Sequence, residues 1–182
     1  MKKLLSVLAF VLLLSAVKAQ DSGNKNAVKI NPLSLIFATG NVAYERAINQ
    51  NQSFQLGIFY SGVSLSGLKY SGLGITPEYR IYFAGHKEAL NGVYVAPFMR
   101  YQNFSLKDKE TGDKATYSSI GGGATIGWEK SWASGFVLDI FAGPAYNSGK
   151  FKESDTNEEE FNVSGGFEGF TIRTGITLGF SF

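Results

Sequence analysis

The chain carries few residues with which to do chemistry. Its one histidine, His86, stands in Gly85-His86-Lys87, a stretch that reads as a turn with no acid or nucleophile paired to it. Acyl-transfer chemistry needs a histidine held against a nucleophile and a carboxylate. A single histidine cannot build a multi-histidine metal site either. There is no cysteine, so disulfides, thiolate ligands and a lipid anchor on cysteine are all excluded. Gly121-Gly122-Gly123 lacks the Gly-Lys-Ser/Thr continuation and the helix of a phosphate loop. It reads instead as a place where a strand bends or is closely approached. Glu153, Asp155 and Glu158-Glu159-Glu160 could offer oxygens to a divalent cation. They lack the alternating Asp/Asn and Gly spacing of a calcium loop and read as a solvated loop. No catalytic, cofactor-binding or metal-binding residue is therefore assigned, and no cofactor is expected. What remains is a set of charges inside otherwise apolar, alternating stretches: Glu45, Glu78, Arg80, Arg100, Asp139 and Arg173.

The elements that carry these charges are strands. The clearest is the last, Phe170–Phe182. Phe170, Ile172, Ile176, Leu178, Phe180 and Phe182 share one face with Thr174; Thr171, Arg173, Gly175, Thr177, Gly179 and Ser181 share the other. A period of two is the mark of a β-strand with one apolar and one polar face. Similar alternation predicts strands over 27–37, 41–48, 53–61, 71–83, 93–104, 116–129 and 135–147. The facing of the first is ambiguous, and Pro32 removes one of its ladder donors. Eight long strands with no helical period in between predict an all-β, antiparallel, up-and-down barrel.

Alternation alone does not say which face is outside, since a soluble lipocalin-like carrier turns its apolar face inward. The charges discriminate. Arg46, Arg80, Arg100 and Arg173 all lie within strands, whereas the lysines after residue 19, Lys29 apart, sit in connections or at strand ends. A soluble barrel would carry Lys and Glu all along its polar face. Here that face is Gly, Thr and Ser with sparse charges, which suits a crowded lumen. The apolar face, aromatic towards its ends, suits lipid. An eight-stranded barrel is about wide enough for its own side chains, so the six strand charges are expected to pair inside and plug it. Arg46 falls on the apolar face near a strand end, where it could snorkel.

Met1–Ala19 has a basic start at Lys2-Lys3, an apolar run from Leu4 to Leu14 and a small-residue site at Val17-Lys18-Ala19. This predicts a cleaved signal peptide over residues 1–19 and one barrel domain over 20–182. Removal of Lys2, Lys3 and Lys18 takes Lys plus Arg from 17 to 14 against 15 acidic residues. A mature charge of about −1 does not suggest nucleic-acid binding. With both termini on the periplasmic side, the connections 38–41, 62–69, 106–115 and 148–168 would face outward, and 49–52, 84–92 and 130–134 inward.

Several strings carry a resemblance: KINPLSLIF (29–37), NVAYERA (41–47), FQLGIFYSG (54–62), GITPEYRIYF (74–83), YVAPFMRYQNF (94–104) and GFVLDIFAGPAYN (135–147). Together they resemble an uncharacterised family of small eight-stranded outer-membrane β-barrels of Gram-negative bacteria, commonly labelled a domain of unknown function. The long last strand with its terminal Phe182 is similar to the C-terminal signature of such barrels. The resemblance implies an OmpA/OmpX-like barrel, an outer-membrane location and recognition of the last strand by the barrel-assembly machinery, with Phe182 as the assembly signal. It implies no activity. The partners expected are outer-membrane lipids, the assembly machinery and an unknown extracellular partner for the acidic loop 150–168. The function expected is structural or surface-interacting, not enzymatic. The alternatives are a lipid-modifying enzyme with its site at the barrel rim and the soluble carrier.

Overall fold

The computed structural model describes residues 24–65, 68–108, 114–153 and 168–182. Eight strands follow one another in chain order around a closed antiparallel barrel: β1 (Asn26–Ile30), β2 (Thr39–Asn49), β3 (Gln52–Leu65), β4 (Leu68–Glu88), β5 (Asn91–Asp108), β6 (Lys114–Ser131), β7 (Phe136–Glu153) and β8 (Gly169–Ser181). β1 closes the ring by pairing with β8. Both described chain ends and the short turns after β2, β4 and β6 lie at one end, called here the turn end. The connections after β1, β3, β5 and β7 lie at the other, the loop end. The segments 66–67, 109–113 and 154–167 fall outside the described residues, as do the segment 1–19 expected to be a signal peptide and most of the acidic loop 150–168.

The two-residue period sets which way each side chain points. Ala43, Glu45, Gln55, Thr76, Glu78, Arg80, Tyr94, Phe98, Thr125, Asp139 and Thr177 are buried in the lumen. Their sequence neighbours Val42, Tyr44, Leu56, Ile75, Tyr79, Val95, Met99, Ile126, Ile140 and Ile176 stand exposed on the outer wall. The molecule therefore turns its apolar face outward. An apolar exterior on a closed barrel suits hydrocarbon, where every backbone group must be paired within the fold.

Three local expectations are corrected. The segment 27–37 is not one strand: β1 ends at Ile30, and Pro32–Phe37 is a 3-10 helix. Asn31 caps it, accepting from the backbone N–H of Leu33 and Ser34 at 3.1 and 3.3 Å. Pro32 at the first helical position gives up a hydrogen bond that the helix would not have made. Second, several strands outrun their expected ends. β4 spans 21 residues and β5, β6 and β7 span 18 each, beyond the ~9–11 that cross a bilayer. Within the expected connections, 62–65, 68–69, 106–108, 114–115 and 148–153 are thus strand. Polar composition marks exposure to water, and a strand continuing past an apolar zone is equally exposed.

Third, the connection expected over 84–92 is a tight turn at Ala89-Leu90, and His86 belongs to the end of β4. The turn folds across the barrel mouth, with the Ala89 N–H donating to the Gln50 carbonyl at 2.6 Å. Leu90 adopts φ 69°, an unusual value for a residue with a Cβ. Its side chain is 1% exposed and packs on Ala27 and Val137. Leu90 thereby reaches across the turn end as an apolar lid against β1 and β7.

Candidate functional site in the barrel lumen

Just inside that lid the lumen is crossed by one polar network to which all eight strands contribute. Two cations stand at its centre. Lys29 of β1 donates through Nζ to Glu45 of β2, to Glu129 of β6 at 3.1 Å and to Asp139 of β7 at 3.2 Å. Arg80 of β4 meets the same three carboxylates through Nη1, at 3.0, 2.8 and 2.9 Å, and Glu78 through Nε at 2.7 Å. Ser53 of β3 donates to Glu45. The Tyr82 hydroxyl reaches Glu45 at 2.8 Å and Glu129 at 2.6 Å. Tyr94 of β5 donates to Asp139 at 2.8 Å, and Thr177 of β8 to the same carboxylate at 3.4 Å. The Arg80 guanidinium lies 4.3 Å from the Tyr94 ring centroid. Both cations and the three shared carboxylates are fully enclosed.

Above this layer Glu78 links Arg80 to Arg173, whose Nη1 donates to it at 2.6 Å. Arg173 is clamped between aromatic rings, 4.4 Å from the Phe98 centroid and 4.7 Å from that of Phe141. Arg100 is different. Among the described residues it has no carboxylate partner; its Nε donates to Thr76 Oγ1 at 3.3 Å, and its guanidinium lies 5.7 Å from the Phe59 centroid. Among the described lumen residues, the four cations Lys29, Arg80, Arg100 and Arg173 stand with four carboxyl groups, Glu45, Glu78, Glu129 and Asp139.

Small residues make room for this filling. A methyl group added at Gly127 would collide with the Tyr94 ring, and one at Gly175 with Phe141. Within the 121–123 run, a methyl at Gly123 would strike the Pro144 carbonyl of the neighbouring strand. That is the close backbone approach expected of this glycine run.

Of the six charges singled out from sequence, Glu45, Arg80 and Asp139 come together in the central layer. Glu78 and Arg173 form the next, and Arg100 stands apart. The sequence reading omits Lys29 and Glu129. Lys29 is the one lysine deep within an expected strand, but the ambiguity at Pro32 hides its facing. Glu129 sits on the same face as Gly127 and Thr125, so its parity marks it as inward. Parity puts Tyr82 on the face of Arg80 and Tyr94 on that of Arg100, but nothing local in the sequence tells that their hydroxyls cap carboxylates. Phe182 has its backbone paired with Asn26 in both directions, at 3.0 and 2.8 Å. Among the described residues no group of three or more His, Cys, Asp or Glu is placed to hold a metal ion. The His86 side chain and the 155–160 acids lie outside the described residues.

These features define a closed eight-stranded antiparallel up-and-down barrel with an apolar exterior and a buried ion-pair network in its lumen. The chain belongs to the family of proteins of unknown function DUF3575, whose model matches residues 7–182. No curated protein matches it significantly. A solved structure of similar fold is that of a major outer membrane protein from Thermus thermophilus. It has a TM-score of 0.52 and 17% identity and covers 88% of this chain and 100% of that one. At that identity the likeness shows the fold alone.

Proposed function

We propose that the protein is an outer-membrane barrel of structural or surface-interacting type, sealed at its periplasmic end and displaying its loop end outward. The observation that carries this reading is the buried network drawn from all eight strands, lying directly behind the Leu90 lid. A chain that spent its lumen on a conduit would leave polar groups facing water. Here the charges are spent on one another, and the ring of strands is tied across its middle. The outward apolar face supports lipid as the solvent of the barrel wall and disfavours the soluble carrier, whose apolar face would line its cavity. The reading assigns no catalytic step. It gives the acidic loop 150–168 the role of meeting an extracellular partner, and Phe182 that of an assembly signal. Export would remove residues 1–19 and leave Gln20 at the mature N-terminus.

Fractionation of the source cells tests it. The protein should sediment with outer membranes, begin at Gln20 by mass spectrometry and migrate differently in electrophoresis with and without boiling. Recovery in the soluble fraction, or with Met1 retained on the membrane-inserted protein, contradicts it.

A further inference from the structure

The barrel is closed by strand pairing over only part of its height. β1 has five residues and β8 has thirteen. Their ladder runs from Ala27–Ser181 to Ile30–Leu178 and stops. From Thr177 back to Gly169, β8 pairs with β7 alone. The chain that should have continued β1 has turned away into the 3-10 helix, which lies beside β2 and β8. Among the described residues no backbone hydrogen bond joins that helix to β8. The loop-end half of the wall therefore has a slit, with β8 as one rim and Pro32–Phe37 as the other.

The slit opens within the apolar band. Ile176, Ile172 and Phe170, the outward residues of unpaired β8, are exposed, the last two at 69% and 74%. Leu35, Ile36 and Phe37 on the facing rim are 63–75% exposed. The helix also bounds an apolar groove of about 390 Å³ with Ile30, Val42, Ile58 and Tyr60, on its β2–β3 side and away from β8. At hydrocarbon depth, backbone without a strand partner is tolerated only where it is covered by protein or lines a cavity. Behind the slit, the charged inward residue of this stretch of β8 is Arg173. Arg100 is held in the same layer: it donates to Thr76 and Arg173 to Glu78, inward neighbours two residues apart on β4. Among the described residues the two have one carboxylate between them, Glu78, which Arg80 also shares.

We propose that the slit is a lateral portal for a single-chain amphiphile. Its anionic head, a carboxylate or phosphate, would sit against Arg100 and Arg173 inside the barrel, and its acyl chain would leave between β8 and the 3-10 helix into the surrounding lipid. Charge complementarity fixes the head: Arg100 has no carboxylate of its own among the described residues, and guanidinium groups are suited to oxyanions. The two apolar rims fix the tail. Below the site the central network and Leu90 lie across the lumen, so the amphiphile would reach the arginines from the side or from the loop end. The proposal rests on the membrane-barrel reading above.

The test uses the full mature chain folded in nanodiscs of zwitterionic lipid, titrated with dodecyl phosphate, inorganic phosphate and dodecyl maltoside and followed by calorimetry and thermal unfolding. Dodecyl phosphate should bind saturably and raise the unfolding midpoint. Arg100→Gln, which breaks no ion pair among the described residues, should weaken it by about tenfold or more, the worth of one charge-assisted hydrogen bond. Phe37→Ala with Ile172→Ala, thinning the two rims, should weaken dodecyl phosphate without touching inorganic phosphate. Equal binding of the two phosphates would overturn the portal, and equal binding of dodecyl maltoside would overturn the role of the arginines. A protein that folds in nanodiscs and binds none of the three refutes the portal alone, whereas one that never inserts refutes the membrane reading itself.

Discussion

Arg80 is the residue on which the lumen most depends. Its guanidinium touches four carboxylates, all but excluded from solvent. Removing one partner from a buried ionic network leaves charges with neither water nor counter-ion, and typically costs about 3–5 kcal/mol. Arg80→Met should therefore destabilise the barrel by about that amount in urea unfolding from bilayers. Arg100→Gln should cost about 1 kcal/mol or less, because it gives up one hydrogen bond and no ion pair. Equal effects of the two would mean that the central network does not hold the lumen together. Strand parity alone gives the inward facing of Arg80, Glu45 and Asp139, because an Arg or Glu on the apolar face would stand in lipid. It could not give their partners. Whether Lys29 meets Glu129 is decided by the stagger between strands a hundred residues apart, and that stagger has no local sequence signature.

At the scale of the element, β8 and the 3-10 helix show where sequence reading succeeds and fails. β8 alternates over its whole length, and both its limits and its facing follow from that. Ile176 is outward and pairs with Ile140 of β7. Ile176→Arg should cost roughly 2–4 kcal/mol if it stands near the bilayer midplane, while Ile176→Phe should be mild. Like behaviour of the two substitutions would place this face away from lipid. The 3-10 helix is hidden because Pro32-Leu33-Ser34-Leu35-Ile36-Phe37 is as apolar as a lipid-facing strand. The deciding features are Asn31 and Pro32, which cap and start a helical turn but also occur at strand ends. Asn31→Ala should cost about 1 kcal/mol by removing the cap, measurable by the same unfolding experiment. No change would show that packing beside β2 and β8 sets the helix without its cap. The ends of β4 to β7 escape sequence reading for a related reason: once strands rise past the apolar band, composition no longer separates strand from loop.

For the molecule as a whole, the wall and the lumen divide the work. Apolar side chains outside match a lipid solvent, and inside paired charges share the lumen with small buried apolar clusters around Tyr82, Tyr94 and Phe141 and around Leu90. Loops can then vary with little effect on assembly, since lengthening or shortening a closed loop changes its entropy only slowly. Replacing Ser154–Asn162 by Gly-Ser should leave heat-dependent mobility unchanged, while binding to any surface partner should fall, most of all at low ionic strength. Loss of assembly would make the loop part of the scaffold. The central claim, that the barrel is sealed across its turn end, is tested most directly by electrical recording of the pure protein in planar bilayers. The account predicts no sustained conductance at any steady voltage, because the ion-pair layer and the Leu90 lid close the axial path. Stable, regular single-channel steps from the unmodified protein would contradict it.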